Sequence, residues 1–130
     1  MRRPRTDERG ASAVEFALVL PVLVLLVVGI IEFGHGFRVQ GTLSAAAREG
    51  VRVMALQDDP AAARAAVRSA AAGLDPALTD AQITITPARC PTGAGTTTVR
   101  LTIAYDMPFL TGLLGASVPL TGTGVMRCGG

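Results

Sequence analysis

From Phe16 to Ile31 the chain reads FALVLPVLVLLVVGII, sixteen residues without a charge, thirteen of them Leu, Val, Ile or Phe. At about 0.3–0.6 kcal/mol for each such residue, the run favours insertion into a bilayer by about 4–8 kcal/mol. As a helix, sixteen residues rise only about 24 Å, short of a hydrocarbon core of about 30 Å. Extending the helix back to Ala11 gives twenty-one residues and about 31 Å. That extension places Glu15 inside the apolar stretch, near one membrane face. A carboxylate there costs up to ~3 kcal/mol, which the run can bear. Pro21 and Gly29 are both tolerated in membrane helices.

Helical periodicity continues beyond the span. Val39, Leu43, Ala47, Val51 and Met54 recur every three or four residues as one apolar stripe, with Arg38, Arg48, Glu49 and Arg52 largely off it. Gly34, Gly36 and Gly41 each cost about 1 kcal/mol against Ala, which leaves a kink or short break over 34–41 open beside a continuous helix. Asp58-Asp59-Pro60 stops this helix and starts another, with Asp59 as N-cap and Pro60 in the first helical position. The Ala-rich stretch from Ala61 to Ala72 follows, closed by Gly73. From Gln82 the period changes to two. Ile83 and Ile85 alternate with threonines, Val99, Leu101, Ile103 and Tyr105 form a second such run, and a third starts at Val118 and reaches Arg127. Turn-rich segments at Pro91-Thr92-Gly93 and Gly112 to Gly115 separate them. The predicted class is α+β: a long N-terminal transmembrane helix continuing outward, a short second helix, and a small antiparallel sheet of about three strands. The segments are a basic leader (1–10), a transmembrane helix (11–31), a helical extension (32–56) and a small α+β domain (57–130).

Charge sets the orientation. The net charge is +2, and all twelve basic residues are Arg. Residues 1–10 hold four Arg against Asp7 and Glu8, whereas residues 11–130 hold eight Arg against eight acids. The whole excess thus sits in the leader, and no basic residue follows the run until Arg38. By the positive-inside bias the N-terminus is cytoplasmic and the remainder extracytoplasmic. A cleaved secretory signal peptide is the competing reading. Its first good small-x-small triplet, Ala45-Ala46-Ala47, lies fourteen residues past Ile31, and the apolar region exceeds the usual length.

Composition narrows the chemistry. Aromatics are 4% with no Trp, poor material for base stacking. One His and two Cys cannot supply a four-ligand zinc site without carboxylate help. His35 has only Glu32, one turn back, as a carboxylate partner and reads as an interfacial residue. Gly29-x4-Gly34 has P-loop glycine spacing, but His35 stands where Lys is needed. Val118-Pro-Leu-Thr-Gly122 resembles a sortase signal without the apolar segment and basic tail. No catalytic set, metal site, cofactor, nucleic-acid partner or small-molecule substrate emerges. In an oxidising compartment Cys90 and Cys128 are expected to form one bridge, the alternative being two free thiols.

The segment Arg9-Gly10-Ala11-Ser12-Ala13-Val14-Glu15-Phe16 resists a bland reading. A membrane-face peptidase could cut after Gly10, where the small side chain admits the backbone to a narrow active site. The new amino group at Ala11 would lie about 6 Å of helix rise from Glu15. Neutralisation by a neighbouring chain would make this pair a register device for assembly. The bland alternative is that Glu15 snorkels to the headgroups near Arg9. The pattern resembles prepilin-like proteins, and more narrowly the TadE-like family of the tight-adherence (Flp) pilus system. The likeness rests on RGASAVEFALVLPVLVLLVVGIIEFGHGF at 9–37 and LSAAAREGVR at 43–52. Phe16 after Glu15, where the major Flp pilin more often has Tyr, and the sizeable outer domain favour TadE over the bulk subunit. The resemblance implies a minor pseudopilin of the bacterial cytoplasmic membrane, processed between Gly10 and Ala11 by a prepilin peptidase, with Glu15 as the acidic assembly position. It implies other pilins, pseudopilins and assembly machinery as partners, beside the lipid bilayer. An uncleaved single-span anchor displaying a small binding module is the alternative.

Overall fold

The computed structural model describes residues 6–91, 97–112 and 115–129, with side chains from residue 9 onward. Arg2, Arg3 and Arg5 of the leader, Thr92-Gly93 and Leu113-Leu114 lie outside the described residues. The chain divides into two compact units, Met1–Gly34 and His35–Gly130.

The first unit is helical throughout its described part and belongs to α1 (Thr6–Gln57). From Arg9 to Val27 every residue is exposed, including Phe16, Leu18 and Leu25. Among the described residues this is one helix long and apolar enough to cross a membrane. Pro21 lies inside it, and Gly34, Gly36 and Gly41, where the sequence leaves a break and a continuous helix both open, are helical too. The reason is cooperative: propagating an existing helix costs far less than ending and renucleating it.

The second unit is built on the remainder of α1. The stripe Val39, Leu43, Ala47, Val51 and Met54 is buried, none of the five being more than 4% exposed. The helix ends where Asp58 adopts φ +47°, in the left-handed region. Its N–H still donates to the Met54 carbonyl at 2.9 Å, so the turn closes before the chain reverses. α2 (Pro60–Ala70) then starts on Asp59, whose carboxylate accepts from the N–H groups of Ala61 and Ala62. Two otherwise orphaned donors are satisfied this way, a cap of about 1 kcal/mol. Ala63 and Val67 bury the inner face of α2. Arg68 of α2 pairs with Asp80 of the single 3-10 turn Asp80–Gln82. Both side chains are exposed, so the pair adds little.

The sheet has order β1-β2-β3, from β1 (Ile83–Thr86), β2 (Thr98–Pro108) and β3 (Ser117–Arg127). All pairings are antiparallel. β1 covers only Arg100 to Ile103 of β2, whereas β3 pairs along its whole length, from Thr98 with Arg127 to Pro108 with Ser117. Alternation places Val99, Leu101, Ile103, Tyr105 and Met107 in the core and leaves Thr98, Arg100, Ala104 and Asp106 exposed. This is the half-buried sheet expected from the period-two runs.

Glycine sets the closeness of helix and sheet. Gly122 and Gly124 of β3 face inward. A Cβ on Gly122 would lie 2.6 Å from the Leu43 carbonyl oxygen, and one on Gly124 would lie 2.5 Å from that of Ala47. Four residues along α1 rise about 6 Å and two along β3 about 6.6 Å. The two elements therefore run side by side in the same direction, one turn per pleat. Gly50 gives α1 a similar approach to Val67 of α2 and Leu101 of β2.

Candidate functional site

Gly10, Ala11 and Glu15 lie on α1 in the first unit, and all three are exposed. A side chain at Gly10 would meet nothing within 4 Å, so the glycine is not demanded by packing within this chain. Ala11 and Glu15 are one helical turn apart, about 6 Å along the axis. Gly10 and Ala11, the expected processing junction, are thus helical, and glycine is the residue type, after proline, that gives up helix most readily.

The two cysteines are brought together in the second unit. Cys90, just after β1, and Cys128, just after β3, form a disulfide with a Cα–Cα distance of 5.6 Å. Three backbone groups fasten this end. The Cys90 N–H donates to Asp58 Oδ1 at 2.6 Å, the Gly129 N–H to the Ala55 carbonyl at 3.0 Å, and the Cys128 N–H to the Thr97 carbonyl at 2.9 Å. The C-terminus of α1, the strand ends and the bridge form one clasp. Sequence reading singles out the cysteines and ends the helix at Asp58, but misses this residue's second job: beside tolerating positive φ better than most residues, it accepts from a backbone donor 32 residues away.

A cavity of about 310 Å³ lies in the second unit near the start of its helix. His35 and Arg38 of α1, Asp75, Tyr105 of β2, and Pro108 to Leu110 line it. Tyr105 is 2% exposed, and its hydroxyl donates to the Pro76 carbonyl at 2.8 Å. Burial, and secondarily the Asp75 carboxylate, raise its phenol above the ordinary value. His35 is half-buried at this rim, where the sequence reads it only as interfacial. Among the described residues no three His, Cys, Asp or Glu side chains lie together as a metal ligand set.

The raised phenol makes a prediction about alkali. A group that holds its proton longer folded than unfolded contributes stability below the unfolded value, about pH 10, and that contribution is lost as pH rises through the folded value. The chain has no Lys and one Tyr, so few other groups titrate in this window. Urea unfolding midpoints of the detergent-solubilised protein should fall between pH 9 and 11. Tyr105→Phe should be less stable at pH 9 by about 1 kcal/mol yet show a flatter alkaline slope. Equal slopes would remove Tyr105 from the explanation.

No curated protein and no solved structure matches the chain. The model of one family, described as TadE-like protein, matches residues 10–52, from Gly10 to Arg52. That stretch takes in Glu15, the apolar run and the AAREG segment at 46–50, so over residues 10–52 this chain is similar to TadE-like proteins.

Proposed function

We propose that this protein is a membrane-anchored structural subunit of tight-adherence (Flp, type IV-like) pilus assembly, a minor pseudopilin rather than the bulk filament protein. The observation that carries the reading is the family match that begins at Gly10, the residue after which a leader would be cut. The leader arginines hold the N-terminus in the bacterial cytoplasm, α1 crosses the membrane once, and the second unit lies outside. A prepilin peptidase removes residues 1–10. The ammonium left on Ala11 and the Glu15 carboxylate of a neighbouring subunit then neutralise one another, which fixes register on assembly. The partners are the peptidase, other pilins and pseudopilins, the assembly machinery and the bilayer. The role is structural, with no reaction, cofactor or metal assigned to it.

Processing is the test. After co-expression with a prepilin peptidase and extraction from the membrane, intact mass should place Ala11 first. Gly10→Leu should retain the leader and abolish piliation together. Retention of residues 1–10 by the unsubstituted chain, despite an active peptidase, would leave the uncleaved anchor with a small binding module as the reading.

A further inference from the structure

The turn between β2 and β3 is apolar where turns are usually polar. Pro108, Phe109 and Leu110 leave the end of β2, and Leu110 is 58% exposed. These three residues line one cavity with His35 and Arg38 of α1. The same end of the unit is marked from a second direction, since a Cβ on Gly36 would meet Met107 Cε at 3.7 Å. The opposite end is the disulfide clasp at Ala55 and Asp58. The helix from His35 to Gln57 and the strand from Thr98 to Pro108 each extend about 33 Å. They run in opposite directions, so the turn sits at the N-terminal end of the unit's helix.

Chain connectivity says what lies beside that end. Ile31 closes the uncharged run, and His35 follows it by four residues. Even fully extended, four residues reach no further than about 14 Å. His35 is therefore within that reach of whatever surface the apolar run leaves, and the Phe109-Leu110 turn lines one cavity with it. Phe37, on the same stretch of α1, is 76% exposed. Exposed Phe37 and Leu110 beside the exposed Arg38 suit the boundary of a leaflet, with the Asp75 carboxylate lining the same cavity. Apolar tips enter the acyl region there, and a guanidinium meets lipid phosphate.

We propose that the β2–β3 turn is a second membrane contact: Leu110 and Phe109 enter the headgroup–acyl boundary of the leaflet from which α1 emerges, with Arg38 at the phosphates. This rests on the reading that the apolar part of α1 spans a bilayer. The sheet is thereby held down at one end, and the clasp is turned away from the membrane.

The chain contains no Trp, so one introduced Trp reports alone. Full-length Leu110→Trp, Val125→Trp and Leu25→Trp are reconstituted into phosphatidylcholine–phosphatidylglycerol vesicles with and without lipids brominated at shallow acyl positions. Val125 is exposed on β3, about 26 Å along the strand from its turn-proximal end. Trp at 110 should lose most of its fluorescence to brominated lipid and emit to the blue, while Trp at 125 should be unaffected. Trp at 25 quenched with Trp at 110 unquenched overturns the proposal and leaves the span standing. Emission from 110 that is blue-shifted but unquenched also overturns it, assigning the turn to a protein neighbour. Absence of quenching at 25 removes the span and the proposal with it.

Discussion

Replacing Gly124 with alanine is expected to destabilise the second unit by about 3 kcal/mol, the upper end of the usual range for overpacking. The added Cβ would lie 2.5 Å from the Ala47 carbonyl oxygen and 2.9 Å from Val51 Cγ1. The first neighbour is helix backbone, which cannot rotate away as a side-chain tip can. Relief would need α1 and β3 to separate, loosening the Leu43, Ala47 and Val51 contacts together. Gly122→Ala should behave alike, against the Leu43 carbonyl. Two comparisons make the expectation specific. At Gly50 the nearest atoms belong to side chains, Val67 Cγ2 at 2.3 Å and Leu101 Cδ1 at 2.8 Å, with the Ala63 carbonyl oxygen further off at 3.3 Å, and alanine offsets part of that crowding with about 1 kcal/mol of helix propensity. Gly50→Ala should therefore cost less than Gly124→Ala. Thr123→Ala, between the two glycines but exposed, should stay within about 0.5 kcal/mol. Guanidinium unfolding of the full chain in micelles, followed by circular dichroism, reads all four. If Gly124→Ala and Thr123→Ala unfold at the same midpoint, the close approach is not a determinant of stability.

The second large effect comes from the bridge. Cys90 and Cys128 are 38 residues apart, and closing a loop of that length restricts the unfolded chain by about 4 kcal/mol in the chain-entropy treatment. A domain this small has about 5–15 kcal/mol in total. Cys90→Ala with Cys128→Ala should thus leave the second unit marginal, with a lower midpoint and faster proteolysis of 58–129. The first unit has no cysteine, so α1 should keep its helical signal up to the end of the apolar run. Alkylation of the unreduced protein extracted from the membrane should find no free thiol. Two labelled thiols, or an unchanged unfolding midpoint in the double variant, would contradict this account.

The helix stripe and the alternating strands were legible because each is a local periodicity: 3.6 residues for Val39 to Met54 and two for Val99 to Tyr105. Asp59-Pro60 was legible for the same reason, since a cap acts on donors two and three residues away. What escaped depends on partners remote in sequence. The Gly122-x-Gly124 pair sits at inward positions of a strand, where glycine signals close backbone approach, but nothing local says that Leu43 and Ala47 are what approaches. The Asp58 carboxylate on the Cys90 N–H is equally non-local. Propensity at Gly34 to Gly41 does not decide between a break and a continuous helix, because a long helix with a buried continuation overrides it. At the candidate processing site the position was different. Gly10, Ala11 and Glu15 are exposed in a single chain, so their signal lies in residue order and charge, and folding adds little to it.

The matched advance of α1 and β3 has a mechanical consequence. A pull applied at His35 along the unit's own helix loads a seam that lies parallel to the force, with Leu43 against Gly122 and Ala47 against Gly124. Such a seam is loaded in shear, so its contacts share the tension and yield together instead of unzipping singly. At its far end the load meets the Asp58–Cys90 hydrogen bond and a covalent link. The missing side chains of Gly122 and Gly124, which let helix and strand touch, thus also make the unit resist a pull directed along its own helix.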